Sequence, residues 1–500
     1  MPTEIISSAA PVSPAHPAAL NWVASGPKRL WIDGQWQEAT SGRQIESINP
    51  ETETTLTSIA DANASDIDRA VTAARRAFES PAWSSITPHQ RTFFLLKIAD
   101  IVEAHGEELA TIETLDNGMP LWYSTASVRA VVEQFRYYAG WPTKIFGSTN
   151  PSAPNILNYT LREPVGVCGQ IVAWNVPLVM SAMKIATALA CGNTVVLKPA
   201  ELASLSTLRL AELIEQTDLP PGVVNIVTGL GSGAGSAIAA HPGIDKIAFT
   251  GSTAVGKQIM RAAADNMKKV TLELGGKSPN IIFPDADIDQ ALDFAVRSFC
   301  GNSGQVCSAS TRVLVHQDMH DEIAARVATM AASYKVGSPF AADTKLGPLV
   351  SAIQRDRVMG YVEAGKRGGA TLNFGGERVG SQGYFVQPTV FSNVDNSMTI
   401  GREEIFGPVV SIIPFRDEED AIRKANDTTY GLAGAVWTRD ISRAHRVVRA
   451  MKAGRVWINS YGDADPVMAF GGYKQSGLGR EYGQESIEAY TQVKSVWARL

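Results

Sequence analysis

Residues 299–312 read Phe-Cys-Gly-Asn-Ser-Gly-Gln-Val-Cys-Ser-Ala-Ser-Thr-Arg, which sets Cys307 among small residues just past a Gly-Gln pair. A thiol with so little bulk around it can be reached by a substrate, and thiolate is the best nucleophile among the ordinary side chains. The same residues also read as a free cysteine packed as a small hydrophobe, the commoner fate of a lone cysteine. This segment by itself leaves both readings open.

A nucleophile must be held by regular elements, and the chain announces them by pattern. Residues 30–37 predict a hairpin turning at Asp33-Gly34. Ser65-Asp-Ile-Asp68 has capping-box spacing ahead of a helix through Phe78. Helical patterns follow at about 89–104 and 128–141. From Val165 short β-rich runs alternate with helices: 165–172, 194–197, 223–227, 246–249, 270–274 and 281–283. A second series occupies 312–315, 409–414, 432–437 and 455–459. Such alternation implies parallel sheets covered by helices, hence two successive α/β units meeting near Gly275-Gly276.

Bulk properties agree and exclude alternatives. Five hundred residues exceed a single core, so two or three domains are expected. With 45% hydrophobic and 19% charged residues and a net charge of −5, no basic run points to nucleic acid or an anionic membrane. No apolar run reaches membrane-spanning length, since the nearest, 178–190, carries Lys184 in its middle. Residues 1–27 contain Glu4 and no Lys or Arg, which speaks against a signal or transit peptide and predicts a disordered arm. Four cysteines (Cys168, Cys191, Cys300, Cys307) without a CxxC fit a reducing compartment, the cytoplasm, and argue against a zinc site.

Open parallel sheets bind ligands beyond the carboxyl ends of their strands. Those ends carry Trp174-Asn175, Lys198-Pro-Ala-Glu201, Thr250-Gly-Ser-Thr253 and Glu273-Leu-Gly-Gly276, polar groups of the kind a nucleotide site needs. The ordinary dinucleotide fingerprint is absent, because the glycines of 229–235 fall at the wrong offsets.

Seven pieces in order carry a resemblance: Ala173-Trp-Asn-Val-Pro-Leu178, Val196-Leu-Lys-Pro-Ala-Glu201, Phe249-Thr-Gly-Ser-Thr253, Leu272-Glu-Leu-Gly-Gly-Lys277, Gly304-Gln-Val-Cys307, Glu404-Ile-Phe-Gly-Pro408 and Phe470-Gly-Gly-Tyr-Lys474. Together they resemble the aldehyde dehydrogenase superfamily over nearly the whole chain after the N-terminal arm. The resemblance implies an α/β fold with a variant Rossmann NAD-binding domain (28–145 and 165–275), a catalytic domain (276–484) and a β oligomerisation flap (146–164 and 485–500). The flap is expected to pair residues near 146–164 with a strand at 489–496. A homotetramer or homodimer is implied, with a small-molecule aldehyde as substrate.

The same resemblance gives roles to residues. Cys307 matches the nucleophile that forms a thiohemiacetal and then a thioester. Asn175, with the backbone N–H of Cys307, matches the oxyanion donors; an Asx turn before Pro177 is compatible with the same place. Glu273 matches the base for the deacylating water. In the strand 270–274 it faces away from Val270, Leu272 and Leu274. Relatives that pass the acyl group to coenzyme A generally lack this base, so a hydrolytic product is expected. Trp174, Lys198, Glu201, Gly251, Ser252, Gly256, Glu404 and Phe406 match NAD-binding positions. Glu201 on the ribose would disfavour a 2′-phosphate and hence NADP. Lys184 and Glu481 match a pair linked to proton relay, with an ordinary salt bridge as the other reading.

Ala173 and Ala469 depart from the family by standing where proline often does. The positions that line the substrate tunnel in the family hold Val176, Met180, Met183, Gly301, Val306, Ser308, Gly462, Ala464 and Phe470. Glycine and alanine in place of rings predict a wide, apolar tunnel for a bulky, uncharged aldehyde, aromatic or long-chain. The alternatives are a carboxylated semialdehyde, which would need a cationic anchor, and a non-catalytic structural or binding member. Intact Cys307, Glu273 and Asn175 speak against the latter.

Overall fold

A computed structural model describes residues 14–500. Its first sheet has eight strands in the order Gly477–Leu478, Lys269–Glu273, Lys246–Thr250, Val167–Ile171, Thr194–Lys198, Val224–Ile226, Leu30–Ile32 and Gln35–Gln37. The five central strands are parallel, and antiparallel neighbours close both edges. Val195 and Leu197 enter one hydrophobic cluster while Val196 enters another on the opposite face. Burial on both faces explains why these strands read as near-continuous apolar runs. The chain runs outward from Val167–Ile171 and then returns to place Lys246–Thr250 on its other side. This reversal of strand order opens a crevice at their carboxyl ends.

The second sheet has seven strands: Thr371–Phe374, Thr389–Ser392, Val409–Phe415, Arg312–His316, Pro279–Ile282, Ala433–Trp437 and Arg455–Ile458. All pair parallel except the first two. A third, three-stranded sheet joins Thr491–Arg499, Ile156–Pro164 and Thr149–Asn150, in register from Thr491 opposite Pro164 to Arg499 opposite Ile156. Among the described residues no helix is long and apolar enough to cross a membrane.

The hairpin turns at Asp33 and Gly34, whose φ angles of 58° and 71° give the two left-handed residues a tight connection requires. The cap of the following helix, Ala64–Glu79, lies two residues before the expected place. Asn63 accepts from Ser65 and Asp66 N–H, and the Asp66 carboxylate accepts from Asn63 N–H at 2.9 Å. Asp66 also receives Thr40 N–H and Arg69, which fixes the box at this position.

Other expectations are corrected as well. The run 281–283 belongs to the second sheet, as the strand Pro279–Ile282, because Gly275-Gly276 has already carried the chain across. The strand Gly477–Leu478 comes back from the second unit to edge the first sheet. The arm expected over 1–27 is partly helical: Pro17–Ala24 packs Ala19 and Val23 into the core, a tertiary contact that composition does not register. Residues 1–13 of that arm lie outside the described residues. The hairpin Gln44–Ile48/Thr55–Ala60 and the strands Thr371–Phe374 and Thr389–Ser392 had no counterpart in the sequence reading.

Candidate active site

The helix Ile288–Cys300 ends at Gly301, and the chain then makes an unusual turn into Cys307. Asn302 and Ser303 sit at φ 45° and 54°, and Gly304 at 73°. Left-handed non-glycine residues in succession persist only where surroundings over-determine them. Here Asn302 Nδ2 donates to Asn175 O at 2.7 Å and Ser303 Oγ to Gly347 O at 2.7 Å. Gln305 Oε1 accepts from Val350 N at 3.0 Å. A side chain at Gly304 would collide with the Gly407 carbonyl, so only glycine fits there.

This turn delivers Cys307 to a cleft of about 140 Å³ at the crevice of the first sheet. The lining includes Trp174, Asn175 and Met180, Thr250, Gly251 and Ser252, Glu273, and Glu404 and Phe406. Cys307 is partly exposed, whereas Cys168, Cys191 and Cys300 are buried. Burial pushes the Cys307 thiol up to about 12, with the carboxylates of Glu404 and Glu273 adding to the effect. Burial thus favours the thiol over the thiolate at this position.

Asn175 is buried and donates one amide hydrogen to Gln305 O at 2.9 Å, leaving its other for a ligand. Glu273 is 3% exposed, and among the described residues neither carboxylate oxygen has a hydrogen-bond partner. Burial, then the Glu481 carboxylate, raises its proton affinity well above the usual range, against Lys184, Arg480 and Arg455. Lys184 and Glu481 form a buried ion pair beside it. Glu404 Oε1 accepts from Gly276 N at 2.9 Å, and burial holds its carboxyl at about 7. Phe406, at φ 59°, meets Trp174 edge to face at 5.1 Å.

The remaining predicted positions spread around this centre. Lys198 Nζ meets Glu201 Oε2 at 3.1 Å where the strand Thr194–Lys198 ends, outside the cleft lining. Ser252 caps the helix Thr253–Ala263, in which Gly256 packs against Leu274. Of the expected tunnel residues, Met180 lines the cleft. Val176, Gly301, Val306, Ser308 and Phe470 are half-buried, Met183 is buried within its helix, and Gly462 and Ala464 are exposed. The structure thus does not gather all nine at the thiol.

Four residues of the site were missed. Gln354 and Arg357 line the cleft from one face of the helix Ala352–Arg367 and bond Phe406 O at 2.8 Å and Glu404 O at 3.2 Å. Their three-residue spacing was the available signal. Tyr123 lies 3.9 Å from where a Gly301 side chain would begin. Arg455 is buried against Phe470. Nothing local marks the last two.

The profile of the aldehyde dehydrogenase family matches residues 36–496. An aldehyde dehydrogenase of Aspergillus niger is 50% identical over 475 residues, 95% of either chain. The NAD+ complex structure of aldehyde dehydrogenase from Bacillus cereus superposes with a TM-score of 0.96 at 48% identity, covering 98% of this chain and 100% of that one. Betaine aldehyde dehydrogenase from Staphylococcus aureus in complex with NAD+ gives 0.94 at 40% identity, with 96% and 97% covered.

Proposed function

The chain belongs to the aldehyde dehydrogenase family, and we propose that it oxidises a bulky, uncharged aldehyde, aromatic or long-chain, to its carboxylic acid. It is an NAD-dependent aldehyde dehydrogenase. The observation that carries the chemistry is the convergence of Cys307, Asn175, Glu273 and Glu404 on one cleft.

The donors present suit NAD. The Lys198–Glu201 pair offers a carboxylate for a ribose diol, and the amide end of the helix Thr253–Ala263 faces the crevice for a pyrophosphate. Among the described residues the buried hydroxyl of Thr250 has no partner, and Glu404 brings a carboxylate beside the thiol. NAD, when bound, supplies the hydride acceptor. The protein does the rest. Cys307 Sγ bonds the aldehyde carbon as its proton passes to a neighbouring carboxylate. The free Asn175 amide hydrogen and the Cys307 N–H hold the oxyanion of the thiohemiacetal. Once the thioester has formed, Glu273 takes a proton from water as it adds, the C–S bond breaks, and the acid leaves. The Lys184–Glu481 pair is suited to carry that proton onward.

The substrate-size reading rests on Gly301, where the nearest atom to an added Cβ is 3.9 Å away. Each buried methylene is worth about 0.8 kcal/mol, roughly fourfold in efficiency. Gly301→Phe keeps an allowed backbone, φ −55°, and fills this space toward Tyr123. Its kcat/KM for aromatic and long-chain aldehydes should fall about 10- to 100-fold, with acetaldehyde changed only a few-fold. Parent efficiencies that decline steadily from acetaldehyde to larger aldehydes would sink the wide-tunnel reading. A carboxylated semialdehyde finds little support, because Arg357 in the cleft lining bonds Glu404 O, while Arg455, packed on Phe470, is buried and held by Met468 O and Ala469 O.

Glu201→Gln removes the charge at the proposed ribose site with little change of volume. Preference for NAD over NADP should shrink about tenfold, the factor that roughly 1.4 kcal/mol produces. An unchanged ratio of the two efficiencies would move Glu201 away from the ribose. We assign the three-stranded sheet to homotetramer or homodimer assembly, since Trp497 and Val493 are 68% and 58% exposed on it. We place the enzyme in the cytoplasm, on its free thiols.

A further inference from the structure

We propose that Arg455 is a positioning residue for Glu273: its guanidinium ties residues 468–470, which lead directly into the backbone packed on that carboxylate. The inference rests on Glu273 being the base that activates water.

Arg455 opens the strand Arg455–Ile458 and is 6% exposed. Nη2 donates to Met468 O at 2.8 Å and Ala469 O at 3.4 Å, and the guanidinium carbon lies 4.9 Å from the Phe470 ring centroid. The next residues carry this hold to the base. Phe470 and Glu481 exchange backbone hydrogen bonds of 2.7 and 2.8 Å. A Cβ added at Gly471 would fall 2.7 Å from Glu273 Oε1, so this stretch packs directly on the carboxylate. One guanidinium therefore fixes the stretch that covers Glu273 and meets the partner of Lys184.

Among the described residues the charge of Arg455 is not spent on an ion pair. Its Nε is buried with no hydrogen-bond partner. A charge in this setting is expensive unless a counter-charge lies near. The charged groups facing Glu273 are Glu481, which opposes its ionisation, and Lys184, Arg480 and Arg455, which favour it; Cys307 faces it across the cleft. Lys184 is committed to Glu481, and Arg480 Nη1 donates to Gly472 O and Gly479 O. Of the two carboxylates that act on Arg455, Glu273 and Asp465, Glu273 has the larger effect, so ionised Glu273 is its main carboxylate complement.

The test follows the burst and steady-state phases of NADH release across pH in Arg455→Gln, which removes the charge but keeps an amide for the Met468 carbonyl. The burst should persist while deacylation at pH 7 slows about tenfold. The rising limb of the deacylation profile should move up by about one pH unit, the low end of what a nearby opposite charge does to a carboxyl. Arg455→Lys should return the limb toward the parent. Should Arg455→Gln fail to fold, Arg455→Met takes the same measurement. A neutral variant whose profile coincides with the parent's overturns the proposal, as does a lysine variant displaced as far as the neutral ones. Loss of the base reading is a separate result, seen as a Glu273→Gln enzyme with no deacylation defect.

Discussion

Cys307→Ala is expected to abolish NADH formation, with turnover falling by roughly three orders of magnitude or more, while NAD affinity stays within a few-fold. The size of the effect follows from the site. The other three cysteines, Cys168, Cys191 and Cys300, are buried and lie outside the cleft lining, so none of them can substitute. Folding should survive, because removing one sulfur from a partly exposed position leaves the hydrogen bonds of Asn302, Ser303 and Gln305 in place. Steady-state absorbance of NADH and cofactor fluorescence titration give the two halves of the check. Substantial turnover in the variant would remove Cys307 from the mechanism.

Glu273→Gln should separate the two halves of the reaction. The glutamine is nearly isosteric but cannot accept a proton from water, so a first turnover of NADH should appear as a burst. The following steady state should be slower by about two orders of magnitude or more. The pH dependence has a definite sign. Burial keeps Glu273 protonated where an ordinary glutamate is ionised, so its active, ionised form grows in as pH rises above the usual carboxylate range. Deacylation in the parent should therefore climb with pH, and in the variant that limb should flatten. A glutamine enzyme with the parent's steady state would leave Glu273 a structural part only.

Much of this protein is legible along the chain. The β-rich runs from Val165 onward became the parallel strands of two sheets, because strands buried on both faces leave near-continuous apolar stretches in the sequence. Glu273 could be placed at a strand end and Asn175 in the loop beyond one, since period-two alternation and the following Gly-Gly pair or Pro are local signals. A pairing of residues near 146–164 with a strand at 489–496 was also expected; the strands that pair are 156–164 and 491–499, the start moved to Thr491 by the helix Gly483–Ala489. Where local signals compete, the reading slipped: Asn63 outcompetes Ser65 as the cap, and the second sheet claims 279–282.

What the sequence determined by itself is thus the set of candidate site residues and most of the strands that carry them. Which groups share the cleft was decided by tertiary structure alone. Glu404 raises the proton affinity of a thiol 97 residues away in the chain, Tyr123 borders the space opened at Gly301, and Arg455 reaches the segment that covers Glu273. None of these pairings leaves a periodic or compositional trace. Desolvation, unpaired donors and charge coupling depend on through-space distance, and that distance exists only once both sheets have packed.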